Sequence, residues 1–204
     1  FVMTSSALAH HPLAGKPMET FFDGILSGIG HPILGFDHLF FVIAVGIASL
    51  FTGRALSAPL AFVIATLFGV GIIIMGIQLP LVEYMIALSL VALGGIVLSG
   101  QRFGLTSILC FFATAGLFHG WAFGETIVGQ ENINADVLAG YLSGLMVIQW
   151  LVAVGAGLFV TSSFKVFDVA DTKARIIGGI VAGAGAVFLL EGLETALFSA
   201  LGLV

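Results

Sequence analysis

"HPILGFDHLFFVIAVGIASLF", residues 31–51, opens with two histidines and an aspartate and then runs into uninterrupted apolar sequence. A bilayer core of about 30 Å takes roughly 20 apolar residues in a helix, so residues 33–51 read as a membrane span with ionisable groups at its mouth. Working outward, Pro, Gly and charged punctuation divide the rest into five further spans at about 59–77, 80–99, 105–123, 135–161 and 173–193. The last is expected to break near Gly192 and continue as an interfacial tail. Ahead of the first span, "PMETFFDGILSGIG" alternates at a helical period and reads as a helix lying along the surface. The expected fold is all-α: a polytopic membrane protein, one domain over residues 17–204, built as a six-helix transmembrane bundle.

Composition supports this reading. The chain of 204 residues is 59% hydrophobic and 8% charged, against about 25% charged in soluble domains, and its mean hydropathy is +1.20. Such a chain has the lipid bilayer as its solvent. The 28 glycines suit helices whose backbones approach closely; Gly140/Gly144 and Gly179/Gly183 are candidate contact points. The net charge of −5 and the lack of a basic run argue against nucleic acid and in favour of a cationic partner. The single cysteine, Cys110, cannot form an internal disulfide and reads as a small apolar filler of a buried helix.

Residues 1–16 read as a signal-peptide remnant or extracytoplasmic tail. Ala7-Leu8-Ala9 has the small-x-small form of a processing site, cleavage after which would make His10 an N-terminus. Arg54, Arg102, Lys165, Lys173 and Arg175 flank connections on one side, and Lys16 alone lies on the other, with Glu125, Glu131 and Asp136. Because basic residues gather in the cytoplasm, both termini are expected to be extracytoplasmic, in a bacterial inner membrane. Three spans per half would place two related halves in opposite orientation.

With this orientation His31, His38, His119, Glu83, Glu125, Glu191 and Glu194 all fall in the outer part of the membrane. One histidine alone would read as an interhelical hydrogen-bonding group. Three with carboxylates at one depth read as a metal or proton site in a shared wet cavity, since each such group in lipid is costly. His31 is expected as an N-cap with Pro32 at the first helical position. His31, Gly35 and His38 would then share a face, with room between the imidazoles at Gly35. Asp37 would point about 100° away, towards a histidine of another helix. Solvated or helix-end placement explains Glu83, Glu125, Glu191 and Glu194 equally well taken singly. Imidazole with carboxylate suits Ni²⁺, Co²⁺, Zn²⁺ or Cu²⁺, and the absence of a methionine ladder disfavours copper(I). His10 and His11 are a candidate capture site or simply part of a polar tail.

"HPILGFDH" and "FHGWAFGE" (residues 118–125) resemble the two signatures of the HupE/UreJ family of nickel/cobalt permeases, and the likeness extends over nearly the whole chain. The resemblance implies uptake of Ni²⁺ or Co²⁺, with His31, Asp37, His38, Glu83 and His119 as site residues; Glu125 completes the candidate set. Many relatives carry a further histidine where this chain has Phe123. The reading is a secondary transporter rather than an enzyme, with no cofactor beyond the transported or bound ion. No Walker-type sequence supplies an ATP site, and the inner half offers Ser89, Thr66 and Gln149 as neutral groups for an exit path. Alternatives are an intramembrane zinc hydrolase, a haem protein with His38 and His119 as axial ligands, and a packing subunit of a larger membrane complex or homo-oligomer.

Overall fold

The apolar runs fold as helices whose ends follow the local capping chemistry. The computed structural model describes residues 17–129 and 134–203. The expectations for residues 1–16, including cleavage after Ala9, His10, His11 and Lys16, and for Glu131 lie outside the described residues. Among the described residues seven helices follow in order: α1 Phe21–Leu34, α2 Phe36–Leu50, α3 Pro59–Ile74, α4 Val82–Ser99, α5 Leu105–Val128, α6 Ala135–Phe164 and α7 Thr172–Ala200. No strand occurs among the described residues. Helices α4 to α7 are each long and apolar enough to cross a membrane. The α1–α2 pair, bent by 83°, passes the same test jointly, and α3 is a shorter apolar helix of 16 residues.

The first span differs most from expectation. Helix α1 starts at a capping box, in which Thr20 Oγ1 accepts from the Asp23 amide and the Thr20 amide donates to Asp23 Oδ2. His31 therefore lies in the last turn of α1 rather than at an N-cap, and Pro32 is inside the helix. A proline there removes one backbone donor and crowds the carbonyl four residues back. The helix ends three residues later at Gly35, whose extended backbone (φ −80°, ψ 101°) starts α2 in a new direction. Helix α1 lies along α6, its Gly24 and Gly28 against the backbone of Val137, Tyr141 and Leu145.

Backbone contacts at glycines fix the helix pairs and their directions. Gly24 meets Val137 and Gly28 meets Leu145, while Gly46 meets Ala153 and Leu50 meets Gly157, so α1 and α2 each cross α6 in the same sense as it runs. Gly116 meets Phe62 and Gly124 meets Ile73, so α3 and α5 are parallel; Gly94 meets Ala182 and Leu98 meets Gly178, so α4 and α7 are antiparallel. Gly140 and Gly144 contact α1 as expected. On α7, however, Gly178 and Gly185 make the close contacts: Gly183 has nothing within 4 Å and Gly179 only a side-chain tip. Spacing alone does not say which glycine face is the buried one. Helix α7 also continues through Gly192 without a break, its carbonyl accepting from the Tyr84 hydroxyl at 3.1 Å.

The basic connections meet at one end of the assembly. Arg102 pairs with Asp168, and Arg175 Nε donates to the Leu98 carbonyl at 3.0 Å. Phe51 and Thr52 line the same small cleft as Arg102 and Val169. The Ala170 amide and the Arg102 guanidinium together hold the Asp168 carboxyl below the usual carboxylate range. At the other end Asn134 caps α6 and donates to the Glu19 carbonyl, joining the starts of α1 and α6. Large apolar side chains such as Phe68, Leu158, Ile180 and Leu190 face outward, where lipid accepts them.

Candidate metal centre

The elbow at Gly35 turns the start of α2 towards α5, and His38 and His119 meet with Nδ1 atoms 3.0 Å apart. His119 is fully buried, stacked on Phe41 at 4.4 Å between ring centroids. Its Nε2 lies 3.1 Å from Ser89 Oγ on α4. The Ser89 proton is committed to the Ile86 carbonyl at 2.6 Å, so Ser89 accepts from the imidazole and the His119 proton sits on Nε2. That tautomer leaves the Nδ1 lone pair directed at His38. His38 Nδ1–H then donates across the pair, and an ion taking its place would require His38 to move its proton to Nε2.

His31 is the next imidazole, with its ring 5.8 Å from that of His38. It comes there through the bend and not through a shared helical face, which the break at Gly35 removes. Nor does Gly35 leave a space for a bound group: a Cβ there would fall 2.9 Å from His38 Cδ2, so the missing side chain makes room for the His38 ring itself. His31 Nδ1 lies 2.9 Å from Thr126 Oγ1 and 3.3 Å from the Tyr141 hydroxyl, which donates to the Phe123 carbonyl at 2.7 Å. Phe123 packs on both rings, its centroid 4.4 Å from His38 and 5.0 Å from His31.

The carboxylates form a separate group. Among the described residues Asp37 reaches no histidine side chain of another helix; its Oδ1 accepts the His38 backbone N–H at 2.8 Å, within the first turn of α2. Such short side chains at helix starts satisfy orphan amides in this way. Asp37 lines a cleft of about 700 Å³ with Glu83, Tyr84, Glu191, Thr195 and Ser199, between α2, α4 and α7. Glu83 is within electrostatic reach of both Asp37 and Glu125. Adjacent residues thus face two ways, His38 into the imidazole cluster and Asp37 into the acidic cleft. Among the described residues no three His, Cys, Asp or Glu side chains converge as one ready-made ion site. The candidate set His31, Asp37, His38, His119, Glu83 and Glu125 therefore divides into an imidazole cluster and a set of carboxylates, of which Asp37 and Glu83 line the cleft and Glu125 lies within electrostatic reach of Glu83. Cys110 is exposed, not a buried filler, and lies outside both groups.

The family model described as HupE / UreJ protein matches residues 1–188. The chain belongs to the HupE/UreJ family. Protein HupE of Rhizobium leguminosarum bv. viciae is 34% identical over 189 residues, covering 92% of this chain and 95% of that protein. No solved structure matches.

In this HupE/UreJ chain the residues that escaped sequence reasoning are those supporting the histidines. Ser89 reads from the sequence only as a neutral inner group, and nothing local indicates its histidine. Thr126 lies seven residues after His119, two turns along the same face, which is a usable signal. Tyr141 is another, because a buried phenol in an apolar helix needs a partner. Outer partners of metal-ligating histidines fix tautomer and ring orientation. If the His38–His119 pair holds a metal ion, Ser89→Ala is expected to weaken its binding by about tenfold with the fold intact, measured by equilibrium titration of the purified protein with Ni²⁺.

Proposed function

We propose that this chain is a permease for divalent transition-metal ions, with Ni²⁺ or Co²⁺ as cargo. The observation that carries the reading is the His38–His119 pair. Two imidazole nitrogens 3.0 Å apart across a hydrogen bond can open by a few tenths of an ångström to chelate one ion through bonds of about 2.1 Å once the bridging proton has moved. Imidazole suits Ni²⁺, Co²⁺ and Zn²⁺ alike, so the choice of Ni²⁺ or Co²⁺ rests on membership of the HupE/UreJ family. The cleft holding Asp37, Glu83 and Glu191 would gather cations from the outer solution and deliver them across the first turn of α2 to the imidazoles, with His31 adjacent. Ion binding competes with protons, because the ligands must be neutral imidazole and ionised carboxylate. The carboxylates face the cleft rather than the imidazole pair, which suits a carrier better than a hydrolase needing a base beside bound water.

The helix directions support six alternating passes, with the broken α1–α2 pair as the first and α3 as the second. They also support two inverted three-helix halves: exchanging α2, α3, α4 with α5, α6, α7 carries the parallel pair α2–α6 onto α5–α3 and α4–α7 onto itself. On this reading His38 and His119 sit on corresponding helices, at the junction where such transporters bind cargo. The end carrying Arg102 and Arg175 is cytoplasmic by the positive-inside rule, and the acidic cleft opens outward, in a bacterial inner membrane.

The test is uptake of Ni²⁺, Co²⁺ and Zn²⁺ into proteoliposomes containing the purified protein, with metal content measured on the same preparation. Time-dependent accumulation of Ni²⁺ or Co²⁺ above that in empty vesicles is expected. Protein that binds neither ion and moves neither would end the permease reading.

A further inference from the structure

Gln149 stands at the middle of α6, 1% exposed, and neither Nε2 nor Oε1 has a hydrogen-bond partner among the described residues. Its place follows from its neighbours at four-residue spacing. Leu145 lies against Gly28 of α1 and Ala153 against Gly46 of α2, so Gln149 occupies the stretch of α6 spanned by the elbow where α1 gives way to α2. Tyr141, which touches His31, is two turns earlier on the same face. Eight residues put Gln149 about 12 Å further towards the basic end. A primary amide carries two donors and an oxygen with two lone pairs. Burying all of them unmatched is unfavourable, and an apolar residue of the same length would avoid that cost. In the middle of a membrane protein no bulk water repairs the deficit. An unmatched buried amide therefore calls for an occupant that is not part of the chain.

We propose that Gln149 is an inner way-station for the transported cation, its Oε1 serving as a neutral oxygen ligand to the partly hydrated ion after it leaves His38 and His119. This rests on the permease reading. A neutral carboxamide holds Ni²⁺ or Co²⁺ more weakly than imidazole does, so it lowers the barrier between the imidazole pair and the basic end without trapping the ion. Nε2 donates to no cation and is left for water travelling with it.

The test is Gln149→Leu, which is one atom shorter, keeps a branched apolar end and removes both polar atoms. Ni²⁺ affinity at equilibrium is expected to stay within twofold of the parent, while Ni²⁺ uptake into proteoliposomes falls about tenfold and thermal stability is unchanged or raised. Parental uptake in Q149L overturns the way-station and leaves the permease reading standing. Loss of folding in Q149L also overturns it, because the amide would then be a structural hydrogen-bonding group. Failure of the parental protein to move Ni²⁺ or Co²⁺ removes the permease reading itself, and the way-station with it.

Discussion

His38→Ala and His119→Ala are each expected to lower Ni²⁺ uptake about 100-fold or more, on the order of 3 kcal/mol, and the double variant should lose little beyond either single one. On the permease reading the two Nδ1 atoms, 3.0 Å apart, act as one chelating unit, so removal of either leaves a monodentate imidazole, and effects within such a unit are not additive. His119 is fully buried against Phe41 and Phe62, so truncation also leaves a cavity. His119→Leu fills most of that volume without a ligand nitrogen and should be equally inactive while melting closer to the parent. Cys110→Ser, at an exposed position on the same helix, should transport normally. Parental rates in both histidine variants would remove the proposed centre; additive losses would mean that the two imidazoles act on separate ions.

The convergence of His38 and His119 is legible in the sequence because depth in a membrane is a one-dimensional coordinate that helix length and loop charge supply together. Both histidines lie near the acidic end of helices running in opposite senses, so their levels can be matched without knowing which helices touch. The apolar helices are legible from their uninterrupted runs, four of them long enough to cross a membrane, with ends displaced by a few residues where Leu81 and Gly76 turn the chain at positive φ. What local pattern does not carry is partner choice. The glycine face of α1 has meaning only opposite Gly140 and Gly144, and the choice of Gly178 and Gly185 over Gly179 and Gly183 depends on where α4 lies. The elbow at Gly35 escapes notice because Pro32 suits a helix start as well as a helix about to fail. The position of Pro32 inside α1 is decided upstream, by the capping box at Thr20 and Asp23. Asp37 does face away from the His38 ring, as helical spacing predicts, but its partner is the nearest backbone amide.

Gly120→Val is expected to cost about 3 kcal/mol or more of stability and to abolish uptake. Gly116, Gly120 and Gly124 recur every four residues along the face of α5 that meets α3. A Cβ at Gly120 would run into the Thr66 carbonyl, one at Gly116 would come within 2.6 Å of the Phe62 carbonyl, and one at Gly124 would strike the Ile73 side chain. Two of the three obstacles are backbone, which cannot rotate aside. In lipid, helices associate through close packing and not through exclusion of water from apolar faces, so pushing α3 and α5 apart removes the main source of their attraction. Helix α3 is the more vulnerable partner, with 16 residues spanning about 24 Å. The damage also reaches the centre, because His119 precedes Gly120 and must hold its place between Ser89 and His38. Gly71→Val makes the complementary case: it lies on α3, where an added Cβ would meet nothing within 4 Å, and should shift stability by less than about 0.5 kcal/mol. Reversible unfolding in mixed micelles, read alongside uptake, separates the two. If Gly120→Val matched Gly71→Val in both measurements, α3 and α5 would not be in backbone contact, and the placement of His119 opposite His38 would lose its support.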